Sequence, residues 1–412
     1  MLLVRPFAAL RPSPEHAQSV LAPPYDVLST EEARVRAANN RWCFLHVSRP
    51  EIDLPAGTDP YAPAVYARGS DNFVHMIAQG ILRRDREPGY YVYRLIMGAH
   101  AQTGLVVVAS LAAYRDGRIR KHEHTQPPKE DDRTRHMRAL NAQTGPVALT
   151  YRHRTAIDAL IQAASRGDPE IDVIADDDVR HCLWAVRDQT KIDALTTAME
   201  EVGALYIADG HHRAAAAACI AAERHAASPA GDGSNAHDYF LAVIFPDKQM
   251  QILDYNRVVR DLNGLTPSEF IGRLRERFAV TKADAPIGPA KVSEFGMYLG
   301  GQWYALLTKP VVHPRDAVAR LGVTVLSETL LGPILGITDL RRDTRIEFVG
   351  GIRGLQELAR RVDSGDMAVA FSLYPTSLAD VMAVADVGRV MPPKSTWFEP
   401  KLADGLVSYQ LD

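Results

Sequence analysis

The stretch that most constrains how this chain can fold is residues 208–213, which read Ala-Asp-Gly-His-His-Arg. It follows an apolar run at 203–207 and precedes an alanine-rich segment at 214–222. This pattern predicts a buried strand, a tight turn at Gly210 and then a helix. Free backbone N–H groups and the helix dipole at the start of that helix favour an anion such as a phosphate. The alternative is a salt-bridged turn in which Asp209 only caps the helix.

A second concentration of polar residues lies at 121–133, after an apolar strand predicted at 104–111. Two histidines that flank a glutamate can ligate a metal, but a His-x-His pattern alone is a weak metal signal. From residue 129 onwards, the alternative is a solvated helix face. Because both polar clusters follow apolar strands, we expect sheet pairing to bring this loop within side-chain reach of Asp209. The candidate site residues in this cluster are Glu123, His124, Thr125, Asp132 and Arg133.

A third cluster, at 391–401, is a proline-rich loop with two lysines, two hydroxyl side chains and two aromatic rings. It lacks the upstream glycines of a phosphate-binding P-loop, and the chain has no strand–GxGxxG–helix unit, so both of those nucleotide sites are excluded. The loop could still supply ammonium and hydroxyl groups to a phosphate; the alternative is a turn that covers a sheet edge. The candidate phosphate contacts are Lys394, Ser395, Thr396 and Lys401.

The composition is that of an ordinary globular protein, with 46% hydrophobic and 24% charged residues. A formal net charge of −3 gives no general affinity for nucleic acids or acidic membranes. The start of the chain has no signal-like pattern, and no apolar run approaches the roughly 20 residues that span a bilayer. Three isolated cysteines argue against a disulfide framework and a structural zinc site. We therefore expect a cytoplasmic protein without nucleic-acid or membrane partners.

The order of apolar runs and turns predicts an α+β protein with mixed sheets and helices. The length of 412 residues allows two or three domains, which we place at 1–150, 151–265 and 266–412. The predicted strands discussed below are a buried strand at 42–47, paired strands at 90–95 and 104–111, a hairpin from 239–245 to 251–259, and a hairpin at 297–307.

The three clusters, together with Pro-Tyr-Asp-Val at 24–27, resemble the family known as domain of unknown function 1015. That likeness covers nearly the whole chain. A second, local resemblance links residues 209–213 to the Asp-Gly-Asn-His-Arg turn of the free L-serine kinases, which have the ParB/sulfiredoxin-like fold. It implies a ParB/sulfiredoxin-like core around the Asp209 turn, in the domain predicted at 151–265.

The kinase resemblance also implies roles for individual residues. Asp209 would accept the proton of a substrate hydroxyl, while His212 and Arg213 would meet the phosphates of ATP or ADP. His211 stands where the kinases have asparagine and is a further catalytic candidate. Glu123 is the candidate for the kinases' separate catalytic glutamate. Glu123 or Asp132 could also hold Mg²⁺ through oxygen.

The first hypothesis is therefore a nucleotide-dependent kinase that phosphorylates a hydroxyl of a serine-like or polyol substrate. A second is a phosphate-ester hydrolase that uses His211 or His212 as nucleophile or acid. A third is a ParB-like nucleotide-binding switch or DNA-associated module, which the net charge and the lack of a basic stripe oppose. The acceptor, the choice of ATP or ADP and the oligomeric state, with a homodimer as one option, stay open.

Overall fold

A computed structural model describes residues 2–228, 234–309 and 316–412 of the chain. The chain forms two compact units, one of Met1–Met250 with Pro400–Asp412 and the other of Gln251–Glu399. Both units contain helices and mixed or antiparallel sheets, which confirms the predicted α+β class. The units do not coincide with the ranges 1–150, 151–265 and 266–412, and that three-domain division stays a prediction.

The first unit contains most of the described helices. They are α1 (Ala17–Val20), α2 (Thr30–Ala37), α3 (Leu45–Ser48), α4 (Pro63–Ala78), α5 (Leu111–Arg115), α6 (Pro127–Leu140), α7 (Thr155–Ala164), α8 (Gln189–Glu200) and α9 (His211–Ala227). Its strands up to residue 250 are β1 (Val4–Arg5), β2 (Leu10–Pro12), β3 (Leu82–Arg84), β4 (Tyr90–Met97), β5 (His100–Ser110), β6 (Ile119–Arg120), β7 (Ala142–Gln143), β8 (Val147–Tyr151), β9 (Ile171–Ile174), β10 (Arg180–Val186), β11 (Leu205–Asp209) and β12 (Tyr239–Pro246).

A mixed sheet organises the first unit, with strand order β6-β11-β8-β12-β5-β4-β10-β9 and β1 beside β5. The central strands β8 and β12 are buried along their whole length, as their continuous apolar sequences require. The predicted pairing of 90–95 with 104–111 is confirmed as the β4–β5 hairpin. Strand β11, which leads to Asp209, lies between β6 and β8.

Two local predictions are wrong. Residues 42–47 form no strand; the helical turn α3 covers Leu45–Ser48, because an apolar run this short fits a buried helical turn as well as a strand. The apolar run at 239–245 is indeed a strand, β12, but it pairs with β5 and β8 rather than with residues 251–259. A continuous apolar strand has two faces to bury and accepts partners that are distant in sequence.

The second unit is built on a separate sheet with order β15-β17-β16-β19-β14-β18. Side chains alternate across it: Phe295 and Met297 pack into one core, while Tyr298 packs into a second core on the other face. The predicted hairpin at 297–307 is confirmed as β16–β17. The elements are β13 (Gln251–Leu253), β14 (Tyr255–Val259), β15 (Phe278–Ala283), β16 (Glu294–Leu299), β17 (Gln302–Thr308), β18 (Ile346–Gly350), β19 (Val369–Leu373), β20 (Trp397–Glu399), α10 (Pro267–Arg277), α11 (Gly322–Leu326), α12 (Gly354–Asp363) and α13 (Leu378–Asp386).

The last residues of the chain belong to the first unit again. There β21 (Tyr409–Gln410) pairs with β7, so Lys401 and Asp404 are parts of the first unit although 149 residues of the second unit precede them, from 251 to 399. In the described residues, no helix is both long enough and apolar enough to cross a bilayer.

Candidate functional site

The candidate site is built on the turn that joins β11 to α9. The pairing of β11 with β8 shifts register between Ile207 and Asp209, so a bulge at the strand end redirects the chain. Gly210 follows with φ of +94° and is the N-cap of α9. The predicted strand, turn and helix are therefore confirmed. Among the described residues no side chain caps this helix, which leaves its first-turn N–H groups for an anion or water.

Gly210 is needed both for its backbone conformation and for space. A Cβ built there would lie 3.0 Å from Arg213 Nε, whereas Gly203, with φ of +81°, has no neighbour within 4 Å of such a Cβ. We expect Gly203→Ala to lower the free energy of unfolding by about 1–2 kcal/mol through left-handed strain alone. Gly210→Ala should cost more, because Arg213 must also move. Urea unfolding of both variants measures the difference, and equal losses would contradict the Arg213 contact.

Asp209 is held as a carboxylate by its neighbours. Its Oδ1 accepts a hydrogen bond from Gly210 N at 2.9 Å, and its Oδ2 lies 3.2 Å from Lys401 Nζ. Burial raises the pKa of Asp209, but Lys401 and Arg213 outweigh burial and hold this pKa well below its usual range. The side chain is still 35% exposed, so an ionised carboxylate is accessible at the start of α9.

The loop at 121–126 lies against this turn, as predicted. His211 Nε2 accepts a hydrogen bond from His122 N at 3.4 Å, and His212 Nε2 accepts one from Gln126 N at 3.0 Å. The Oε2 atom of Glu123 is 3.9 Å from His211 Nδ1. The loop backbone therefore fixes both imidazoles, while Glu123 faces the proton-bearing nitrogen of His211.

The environment of these imidazoles keeps them neutral, and the predicted roles of His211 in catalysis and His212 at a phosphate stay predictions. The rings of His122 and His211 are 4.5 Å apart and nearly perpendicular. Burial lowers the pKa of His122 to about 4; burial and then the neighbouring His122 lower the pKa of His211 well below its usual value. Burial and Lys129 also lower the pKa of His212. Because the Nε2 atoms of His211 and His212 accept backbone N–H groups, neither atom is free to attack phosphorus, and the geometry does not favour a histidine nucleophile.

Behind the turn, Arg213 lines a small cavity of about 30 Å³ that has both polar and apolar walls. Arg213 is 9% exposed, and its Nη1 donates to Pro146 O at 2.6 Å. Two polar atoms of the lining, Asp404 Oδ1 and Ser48 Oγ, have no hydrogen-bond partner in the described residues. A cavity of this size with such polar atoms in its wall suits an ordered water molecule. The other lining residues are Tyr25, Arg133, His136, Met137, Ala142, Gln143, Thr144 and Gly145.

Sequence reasoning missed Asp404, which is 2% exposed. Burial raises the pKa of Asp404 to about 7, although Arg213 opposes the change. The available signal was a lone carboxylate in the otherwise apolar segment 402–407. A carboxyl group that titrates near neutral pH beside Arg213 couples the charge of the cavity to pH.

Asp404 should make the stability of the protein depend on pH. Between pH 4 and 7 the folded state keeps a proton that the unfolded chain releases, so the free energy of unfolding should fall as pH rises through this window. At about 1.4 kcal/mol per pKa unit, the total reaches a few kcal/mol. Asp404→Asn should flatten this dependence. Urea unfolding at pH 4, 5.5 and 7.5 tests it, and parallel curves for the variant and the wild type would rule it out.

The other predicted residues of the 121–133 cluster lie in different surroundings. Thr125 Oγ1 donates to Glu130 Oε2 at 2.7 Å, and His124 is exposed. Arg133 lines the cavity and lies 3.9 Å above the ring of Tyr25.

Asp132 is already engaged by other side chains. It binds Arg133 at 2.7 Å and accepts a hydrogen bond from Tyr66 at 2.9 Å, so it fits Mg²⁺ poorly. In the described residues, Glu123 and Asp132 do not belong to a group of three metal-ligating side chains.

Lys394, Ser395 and Thr396 lie in the second unit, and their role at a phosphate stays a prediction. Lys394 has a left-handed backbone with φ of 60°, and its carbonyl accepts a hydrogen bond from Arg257 Nη2 at 2.9 Å. Arg257 is 1% exposed and also donates to Tyr255 O. This buried guanidinium, which sequence reasoning missed, fixes the backbone of the loop from inside the unit.

Comparison with known proteins gives limited information about function. Among curated proteins there is no match. Among solved structures, free serine kinase in complex with AMP is 15% identical with a TM-score of 0.34, and 73% of this chain and 92% of that chain are covered. A mutant free serine kinase in complex with ADP is 15% identical with a TM-score of 0.35, and the same shares of the two chains are covered. SbnI with a C-terminal truncation, from Staphylococcus aureus, is 12% identical with a TM-score of 0.38, and 73% of this chain and 86% of that chain are covered.

At these identities and TM-scores the solved structures assign no activity to this chain. The sequence itself matches one family model over residues 4–325, more than three quarters of its length. The chain therefore belongs to the family described as "Protein of unknown function (DUF1015)".

Proposed function

We propose that this protein is a phosphotransferase that moves a phosphoryl group from ATP or ADP to a hydroxyl of a serine-like or polyol substrate. The observation that carries the proposal is the ionised Asp209 beside Lys401 at the uncapped start of α9. The sequence likeness of residues 209–213 to the kinase turn supports it. We propose in addition that the elements around this turn form a ParB/sulfiredoxin-like core.

Each group at the turn has a task in this reaction. Phosphoryl transfer needs little covalent chemistry from the protein and depends on positioning and positive charge. The first-turn N–H groups of α9 and the ammonium of Lys401 supply that charge. Asp209 accepts a hydrogen bond from the acceptor hydroxyl and receives its proton as the oxygen bonds to phosphorus, while the bond from phosphorus to the bridging oxygen breaks and the shortened nucleotide leaves. Because Lys401 and Arg213 lower the pKa of Asp209, the proton moves late, when the hydroxyl has become acidic.

Arg213 supports this arrangement from behind. Its guanidinium is buried and donates to Pro146 O, so it stabilises the charge of Asp209 from within the unit. The backbone N–H of His122 donates to His211 Nε2 and so sets the tautomer of His211, whose Nδ1 faces Glu123 Oε2 at 3.9 Å. Mg²⁺ would enter with the nucleotide, with Glu123 as the predicted carboxylate near it, because Asp132 is engaged by Arg133 and Tyr66.

The test is a transfer assay on the full chain. ATP or ADP with Mg²⁺ is incubated with L-serine or with a panel of small polyols, and products are followed by phosphorus NMR. A phosphorylated acceptor that forms with one equivalent of dephosphorylated nucleotide supports the proposal. Inorganic phosphate as the only product would point to the hydrolase. Nucleotide binding by thermal shift without turnover would favour the switch, and neither binding nor turnover would overturn all three hypotheses.

A further inference from the structure

A group of metal-ligating side chains lies at the far end of α9. His225, His237 and Asp238 each place one ligand atom within 4.8 Å of those of the other two. His225 is in the last turn of α9, while His237 and Asp238 are in the short 3-10 turn Ala236–Asp238 that precedes β12. The three side chains thus come from two elements of the first unit, α9 and the 3-10 turn before β12.

The local contacts orient these groups toward one another. Asp238 is 5% exposed, and its Oδ2 accepts a hydrogen bond from Asn235 N at 3.1 Å, which fixes the carboxylate. Its Oδ1 is 2.6 Å from His225 Nε2. The rings of His225 and His237 are 5.0 Å apart with an angle of 71° between their planes. A backbone hydrogen bond to a ligating carboxylate is typical of outer-shell support in metal sites.

The donor set indicates the class of ion. Two imidazoles and one carboxylate suit Zn²⁺ and similar first-row divalent ions, whereas Mg²⁺ and Ca²⁺ prefer oxygen alone. Other histidine–carboxylate pairs in the described residues, such as His153 with Asp158, belong to no such group of three.

We propose that His225, His237 and Asp238 bind a divalent transition-metal ion of the Zn²⁺ class, with a water molecule as fourth ligand. Binding displaces the proton between His225 Nε2 and Asp238 to solvent, and the two atoms separate from 2.6 Å as both turn to the ion. At about 1.5 Å per residue, His225 lies roughly 20 Å along α9 from His211. The ion would therefore tie the end of α9 to the start of β12 and take no part in chemistry at the Asp209 turn.

The test compares two histidine variants of the full chain. Zn²⁺ is titrated by calorimetry, and Co²⁺ is followed by its visible absorption, for wild type, His237→Gln and His153→Gln. We expect one ion per chain in the wild type and in the matched control His153→Gln. His237→Gln should bind at least about 10-fold more weakly and lose the Co²⁺ spectrum.

Folding and the proposed phosphotransferase site are checked separately. Circular dichroism verifies each variant, and His225→Gln replaces His237→Gln if the latter does not fold. Absence of Zn²⁺ binding by the wild type, or equal affinity in the wild type and the ligand variant, overturns the metal site. ATP-induced thermal shifts should be unchanged in His237→Gln, so this result is independent of whether the proposed kinase activity exists.

Discussion

Replacing Asp209 with Asn is expected to lower phosphoryl-transfer turnover by about 10²–10⁴-fold, the usual contribution of a general base. The amide keeps the size of the side chain and can still accept a hydrogen bond, but it cannot take the hydroxyl proton at neutral pH. Nucleotide binding should persist or become tighter. The reason is that Lys401, which pairs with Asp209 at 3.2 Å, loses the charge of one competing anion and attracts a phosphate more strongly.

Both quantities are measured on one preparation, turnover by phosphorus NMR and nucleotide affinity by calorimetry. Asp172→Asn is the matched control, since Asp172 pairs with Arg180 on the surface of the same unit and should leave both quantities unchanged. Turnover of Asp209→Asn within a few-fold of wild type would remove Asp209 as the base. Loss of nucleotide binding as well would show that the aspartate holds the turn together rather than accepts a proton.

Replacing Arg213 with Met is expected to destabilise the protein by about 3–5 kcal/mol, the usual cost of leaving buried charges uncompensated. Arg213 is 9% exposed and interacts with Asp209, Asp26 and Asp404. The loss should be smaller at pH 5 than at pH 8, because Asp404, with its pKa raised to about 7, is neutral at the lower pH. Adding Asp404→Asn to the variant should recover part of the stability at pH 8.

Urea unfolding at the two pH values measures these losses. The control is Arg180→Met, which removes an exposed ion pair with Asp172 and should lower the free energy of unfolding far less than Arg213→Met does at either pH. If Arg213→Met is no more destabilising than this control, the cavity does not hold a charged cluster. A loss that is the same at pH 5 and pH 8 would instead mean that Asp404 does not change its ionisation in this range.

Local sequence patterns were sufficient to predict the backbone of the turn that contains Asp209. The apolar run, Gly210 and the alanine-rich segment each specify a short piece of backbone, and together they predict β11, the turn and α9. The approach of the Glu123 loop was also predicted, although for a different reason: the loop follows β6, a two-residue strand that lies parallel to β11, and not the apolar strand β5. Nothing in those patterns gives the partners of Asp209 within the folded chain.

Local sequence patterns did not predict which residues far apart in the sequence contact one another. Lys401 was predicted as a phosphate contact, yet its partner Asp209 is 192 residues away and no periodicity links them. The hairpin expected from 239–245 to 251–259 failed for the same reason, since β12 finds β5 and β8 instead. Buried charged residues such as Asp404 and Arg257 are difficult to recognise from the sequence, because the only sign of them is a charged residue within or beside apolar residues.

The return of the last residues to the first unit sets an order of events during synthesis. When Ala227 at the end of α9 has just been added to the nascent chain, Lys401 and Asp404 are still more than 170 codons from being translated, and β7 has no strand β21 beside it. The ribosome must therefore translate the whole of Gln251–Glu399 before the first unit can be completed by its last residues. Pairing across so long a separation slows folding and prolongs the exposure of apolar strands. A ribosome that stalls within the second unit would release a protein with Asp209 in place but without its lysine.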